Sequence, residues 1–217
     1  MIVTIDGPAG AGKSSVARAL AQKLGFAFLD TGAMYRAVAW AAIRDGIDLH
    51  NSDGMVEVAK KIEIRFDAQL IIVDGEDVTQ AIRTTEVTEQ VKHAAGNDGV
   101  RAILASQQRT IGLAANNLVT EGRDQGTVVF PEAECKIYLT ATPEERAKRR
   151  YRELLRKGEV ITFADVLDSQ NSRDAADASR DVGPLARAED AVEVYTDEMT
   201  QEQVLNHLAW VVESSLP

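Results

Sequence analysis

The hydrophobic pattern of the chain changes period several times, and each change marks an element. Ile2-Val3-Thr4-Ile5 is a short β-rich run. Residues 14–24 then carry Val16, Leu20 and Leu24 at helical spacing, and Gly25 stops that helix. Phe26-Ala27-Phe28-Leu29 predicts a buried strand, Asp30-Thr31-Gly32 a turn, and residues 33–44 an alanine-rich helix. Strand, helix, strand, helix implies a parallel sheet with crossover helices. After Asp45 the pattern breaks. Gly46, Asp48, Asn51, Ser52, Asp53 and Gly54 make a loop signature over 46–54. Ile62-Glu63-Ile64-Arg65-Phe66 alternates strictly, and Leu70-Ile71-Ile72-Val73 follows, which predicts a hairpin. Asp74-Gly75-Glu76-Asp77 reads as a turn and Glu86 opens a helix. A hairpin inside a βαβ series predicts an inserted α+β subdomain at 48–96, leaving 1–47 and 97–217 as the core.

The parallel pattern then resumes. Residues 100–111 are helical, Asn117-Leu118-Val119-Thr120 and Lys136-Ile137-Tyr138-Leu139-Thr140 are strands, and Ala191-Val192-Glu193-Val194 is the last strand. Thr142, Pro143 and Glu145 predict a helix start with a capping box, and Thr200 caps a final helix carrying Val204, Leu208, Val211 and Val212. The fold class is therefore α/β, with five parallel strands at 2–5, 26–29, 117–120, 136–139 and 191–194. No internal repeat or low-complexity tract interrupts it.

The segment between the first strand and first helix supplies the chemistry. Gly7-Pro8-Ala9-Gly10-Ala11-Gly12-Lys13-Ser14 is a full G-x-x-x-x-G-K-S phosphate loop. Its glycines let backbone N–H groups turn around phosphate oxygens, Lys13 reaches the β- and γ-phosphates, and Ser14 suits Mg²⁺. The strand before it and the helix after it are the setting that phosphate binding needs. This predicts a nucleoside triphosphate site without saying where the phosphate goes. A net charge of −10 argues against a nucleic-acid polymer as partner. Residues 37–43, the longest uncharged apolar run of the first half, are too few to span a membrane, and the first strand leaves no room for a signal peptide, so the cytoplasm is the expectation. Cys135 reads as a buried small hydrophobe, and His50, His93 and His207 have no metal-ligand spacing. A monomer is expected.

Ligands of open parallel sheets sit beyond the carboxyl ends of the strands. Arg36 follows the second strand and Arg123 the third, so two guanidinium forks gather near the phosphate loop, which suits an anionic second substrate. Arg146, Lys148, Arg149, Arg150, Arg152, Arg156 and Lys157 form a basic stretch, either a solvated helix face or part of a lid over a triphosphate. Spacings of four and three put Arg173, Asp177 and Arg180 on one helical face, read as an ion pair or as a grip on sugar and base. No Asn-Lys-x-Asp guanine reader and no protein-kinase motif set is present. A kinase for another small acceptor and a nucleotide-dependent switch stay as alternatives at this level.

Five segments resemble the bacterial cytidylate kinases of the nucleoside monophosphate kinase group. They are Ile5 to Ser14; Leu29-Asp30-Thr31-Gly32-Ala33-Met34-Tyr35-Arg36; Gly75-Glu76-Asp77-Val78-Thr79 with Ile82-Arg83-Thr84; Glu121-Gly122-Arg123-Asp124-Gln125-Gly126-Thr127-Val128-Val129-Phe130-Pro131; and Arg173-Asp174-x-x-Asp177-x-x-Arg180. The resemblance runs over nearly the whole chain. It implies γ-phosphoryl transfer from ATP, with Mg²⁺, to CMP or dCMP on a parallel-sheet core with a mobile lid, about 149–185, and a monophosphate-binding insertion. By the same resemblance ATP is held by Gly7 to Ser14 and Ser15, and Mg²⁺ by Ser14. Arg36 and Arg123 hold the CMP phosphate, Thr31, Arg101, Asp124 and Arg180 surround the cytosine, and Arg173 and Asp177 meet the sugar. Arg149 belongs to the ATP lid, and Lys13, Arg36, Arg123, Arg149 and Arg173 form the catalytic set. Two positions depart from the family pattern. Lys92 stands where a serine often touches the ribose, which leaves the choice between CMP and dCMP open. Ala175 and Ala176 replace a basic residue of the lid, which throws more weight on Arg173 and Arg180.

Overall fold

The computed structural model describes residues 1–67 and 70–215. They form two compact units, Met1–Leu29 with Gly112–Pro217 and Asp30–Ile111.

The first unit is built on a five-stranded parallel sheet. Its strands are β1 (Ile2–Asp6), β2 (Ala27–Asp30), β6 (Leu118–Gly122), β7 (Cys135–Thr140) and β8 (Val192–Tyr195), in the order β2-β6-β1-β7-β8. β1 lies at the centre with β6 and β7 parallel on its two sides, so Asp6 is level with Gly122 and Tyr138. The loops that follow these strands therefore leave the sheet at one edge. α1 (Lys13–Leu24) and α8 (Gln201–Ser214) pack together, and α1 packs on β6. Val3, Ile5, Leu20, Val119, Ile137, Leu139 and Leu208 share one buried cluster, in which full burial of each large aliphatic side chain stabilises the fold by about 2 kcal/mol. α6 (Pro143–Arg156) and α7 (Phe163–Ala178) pair with each other around Ala147, Leu154 and Val166 and so carry a small core of their own.

The second unit contains α2 (Thr31–Arg44), α3 (Ser52–Lys61), β3 (Ile64–Asp67), β4 (Leu70–Val73), β5 (Glu76–Asp77) and α4 (Thr85–Ala95); the division between units falls inside α5 (Asp98–Ala114). α2 packs on α3 and α4, and β3-β4-β5 form an antiparallel sheet. The segment 48–96, expected as an insertion, lies within this unit.

Several local expectations need correction. Residues 52–54 open helix α3 rather than ending a loop, because the Asn51 side chain accepts the Gly54 N–H at 3.0 Å and caps it. Glu76 and Asp77 form a third strand opposite Val73 and Ile72, so the turn is confined to Asp74 and Gly75, both at positive φ. Phe26-Leu29 is not a buried strand: β2 is an edge strand, and of its residues 27–29 only Leu29 is buried. The box at α6 does not close through Glu145. Thr142 does accept the Glu145 N–H, but the Thr142 N–H goes to Asp197 and the Glu145 carboxylate to Arg149 at 3.3 Å. At α8 Thr200 caps the helix as expected, and Gln203 closes a box with it that the sequence reading did not call. α7 ends at Ala178, so Arg180 lies past the helix that was to carry it.

Candidate functional site

Between β1 and α1 the chain turns through the phosphate loop. Gly7, at φ 148°, crosses β7 so closely that a Cβ would fall 2.0 Å from the Leu139 carbonyl oxygen, and no side chain fits there. α1 begins at Lys13 with Gly12 as its N-cap and no side-chain cap. The N–H groups of its first turn are therefore left for an anion, and the helix dipole favours negative charge at that end.

Lys13 is 5% exposed and donates from Nζ to the Pro8 carbonyl at 2.8 Å. Burial pushes its ammonium down to about 7, and Arg123 and Arg173 push the same way, against Glu121 and Asp6. A cation destabilised in this manner is poised for an anionic partner. Ser14 donates to Glu121 Oε1 at 2.7 Å. The Asp6 carboxylate accepts the N–H groups of Gln125 at 2.9 Å and Gly126 at 2.7 Å, which ties the end of β1 to the π-helical turn Gln125–Val129. The Gln125 side chain in turn accepts from Thr120 at 2.9 Å. Arg123 and Asp124, at the start of this turn, are thus held by a buried polar frame.

Burial pushes the Asp6 carboxyl up to about 7, although its two backbone N–H bonds pull it down. Between about pH 4 and 7 the folded protein keeps a proton that the unfolded chain releases. The stability contributed by this group is full below its ordinary value of 3.8 and is lost as pH rises through 7. Asp6→Asn removes that dependence. In denaturant titrations the stability of the wild type should fall relative to the variant from pH 4 to 7; parallel pH curves for the two would contradict this.

Arg123 pairs through Nε with Asp177 Oδ2 at 2.9 Å, and Arg180 reaches the other oxygen of the same buried carboxylate. Arg173 is exposed on α7 and close enough to Lys13 to act on its charge. The structure so brings Lys13, Ser14, Arg123, Asp124, Arg173, Asp177 and Arg180 into one unit. Arg149 takes a different set of partners: it donates to Thr196 Oγ1 at 2.9 Å and to the Thr196 carbonyl at 2.6 Å.

The remaining sequence candidates lie in the second unit. Asp30 caps α2 by accepting the Ala33 N–H at 2.9 Å and pairs with Arg83 at 3.0 Å, which fixes the buried Thr31 at the first helical position. Arg36 donates to Thr88 Oγ1 at 2.7 Å and to the Ile82 carbonyl at 3.3 Å. Arg101 is 3% exposed, donates to the Ala95 carbonyl at 3.2 Å, and lies 5.5 Å from the Tyr35 ring centroid. Lys92 is exposed in the last turn of α4. His50 and His93 meet edge to face at 4.6 Å, and among the described residues no group of three or more His, Cys, Asp or Glu side chains could hold a metal. Cys135 is buried in β7, and burial pushes its thiol up.

Sequence reasoning gave no role to Asp6, Glu121 or Asp174, and it placed Arg146 only within a basic run read as a solvated face or part of a lid. Asp6 and Glu121 carried a usable signal, because both stand at the carboxyl end of a central strand. Arg146 looked like one charge in a basic run, and its burial at 5% could not be read from composition.

A family profile described as cytidylate kinase matches residues 3–214. The chain belongs to the cytidylate kinase family. A cytidylate kinase from Rhodopirellula baltica is 48% identical over 204 residues, covering 94% of this chain and 89% of that protein. One from Caldanaerobacter subterraneus subsp. tengcongensis is 44% identical, covering 95% and 92%. Among solved structures, a shikimate kinase from Bacteroides thetaiotaomicron matches with a TM-score of 0.54 at 14% identity, covering 98% of each chain, which shows a shared P-loop kinase fold. No helix among the described residues is long and apolar enough to cross a membrane.

Proposed function

We propose that this chain transfers the γ-phosphoryl group of ATP to CMP or dCMP, giving ADP and CDP or dCDP. Membership of the family makes it a phosphotransferase. The observation that carries the reading is a desolvated Lys13 at the phosphate loop with Arg123 and Arg173 acting on it from two other segments. Phosphoryl transfer asks little covalent work of the protein; positioning and charge neutralisation set the rate. A CMP phosphate oxygen is already an anion, so in-line attack on the γ-phosphorus needs no general base. Gly7 to Ser15 bind the ATP phosphates, Lys13, Arg36, Arg123, Arg149 and Arg173 neutralise the spreading charge, and Arg36 and Arg123 hold the acceptor phosphate. Thr31, Arg101, Asp124 and Arg180 read the cytosine, Asp177 and Arg173 take the sugar, and the segment at about 149–185, the later part of α6 together with α7, acts as the lid that excludes water.

The donor set beside the loop fits Mg²⁺. The Ser14 hydroxyl and Glu121 carboxylate are hard oxygen donors 2.7 Å apart, and this ion is usually held by one or two such groups plus phosphates and waters. Ser14 and Glu121 would hold it, and when bound it supplies neutralisation of the phosphate oxygens. We place the enzyme in the cytoplasm as a monomer acting on small nucleotides rather than on nucleic acid or a membrane.

Asp124 tests the acceptor half of the reading. A buried carboxylate accepts from the exocyclic amine of cytosine and repels the carbonyl of uracil. Asp124→Ala should cut the preference for CMP over UMP by about 10²-fold with little change in the KM for ATP. An unchanged preference would remove Asp124 from base reading.

A further inference from the structure

The phosphate loop is gripped from outside by two residues that none of the roles above uses. Asp174, on α7, accepts the Ala9 N–H at 2.9 Å. Arg146, on α6 and 5% exposed, donates to the Ala9 carbonyl at 2.7 Å and to the Ala141 carbonyl at 3.0 Å, and it pairs with Asp174. Both polar groups of Ala9 are thus taken up by one ion pair. The Ala9 N–H belongs to the same peptide as the Pro8 carbonyl, and that carbonyl accepts from Lys13. One rigid peptide plane therefore has Asp174 at its N–H end and the Lys13 ammonium at its C=O end. If the plane turns, both bonds are lost together. The next residue leaves no slack: a Cβ on Gly10 would lie 2.7 Å from Gln170 Oε1 and 3.1 Å from the Arg146 Cβ.

We propose that Asp174 and Arg146 are positioning residues for the phosphate donor, which clasp Ala9 and through the Pro8–Ala9 peptide set the direction of Lys13. The proposal rests on the reading of this loop as the ATP site. It differs from a plain structural ion pair, which would hold α6 to α7 and nothing more. A carboxylate beside an anion site also repels the ligand, so its presence costs ATP affinity unless the clasp returns more through loop order. If the pair acted only as glue, Asp174→Ala would remove that repulsion, leave the Arg146 cation in place, and so leave ATP binding unchanged or tighter.

The test is equilibrium titration of the full chain with Mg²⁺-ATP, together with the KM for ATP and for CMP, in wild type, Asp174→Ala, Asp174→Asn and Arg146→Lys. Thermal midpoints are recorded alongside. The clasp predicts about a tenfold weaker ATP affinity in Asp174→Ala, the loss expected for one charge-assisted hydrogen bond, with the KM for CMP within about twofold of wild type. Asp174→Asn keeps an oxygen for the Ala9 N–H and should recover most of that loss. Arg146→Lys cannot reach Ala9, Ala141 and Asp174 with one ammonium; it should lose about fivefold in ATP affinity and serves if Asp174→Ala does not fold. Unchanged or tighter ATP binding in these variants would overturn the proposal. So would equal shifts in both KM values that track a lowered midpoint. Failure of the wild type itself to bind ATP would overturn the phosphate-loop reading, and this proposal with it.

Discussion

Lys13→Ala lowers turnover with ATP and CMP by about 10³-fold or more while leaving the protein at least as stable as wild type. Both halves follow from one observation. The Lys13 ammonium is buried, pushed down to about 7 by desolvation and by Arg123 and Arg173, and held by the Pro8 carbonyl. Folding therefore pays to bury this cation, and a methyl group at the same place incurs no such cost. The triphosphate restores the missing negative charge, and the restoration is greatest where charge spreads during transfer. A residue needed only for packing would show the opposite pattern, with activity and thermal midpoint falling together. Steady-state turnover and a thermal melt of the two proteins separate these outcomes. Turnover within about tenfold of wild type would remove Lys13 from the catalytic set.

Arg123→Ala is expected to lower turnover by about 10²- to 10³-fold and also to destabilise the fold. Unlike Lys13, Arg123 has a structural partner. Asp177 is 3% exposed and is shared between Arg123 and Arg180. Removing Arg123 leaves that carboxylate with one of its two cations, at a cost of about 1–3 kcal/mol. Arg123→Lys keeps the charge but not the planar fork, so it should regain stability more fully than turnover. The KM for CMP should rise in both variants. Equal recovery of stability and turnover in the lysine variant would assign Arg123 to Asp177 alone.

The core strands and the phosphate loop were legible in the sequence because each rests on local pattern. The run Ile2-Val3-Thr4-Ile5 and the glycine spacing from Gly7 to Gly12 carry their own signals, and β1, β6, β7 and β8 fall within a residue or two of the expected positions. Where the pattern was short or its partner distant, reading failed. β5 has only two residues and exists because Val73 and Ile72 pair with it. Glu145 and Arg149 lie one helical turn apart, but the Thr142 N–H finds its acceptor in Asp197, more than fifty residues on. The same limit hid much of the frame around the site. Asp6 bonds the backbone at Gln125 and Gly126, Glu121 meets Ser14, and Asp174 meets Ala9, each across a large sequence separation. Asp6, Glu121 and Asp174 all stand inside motif segments, and what the sequence does not show is the distant partner that each of them holds.

CMP as the phosphoryl acceptor is the central assignment for this enzyme. ADP production from Mg²⁺-ATP, measured with CMP, dCMP, UMP, AMP or GMP and with no acceptor, tests it directly. Strong turnover with CMP, little with AMP, GMP or water, and a dCMP rate that reads out the Lys92 position are the predicted results. Absence of turnover with CMP and dCMP, or an AMP or GMP rate that matches CMP, would contradict it.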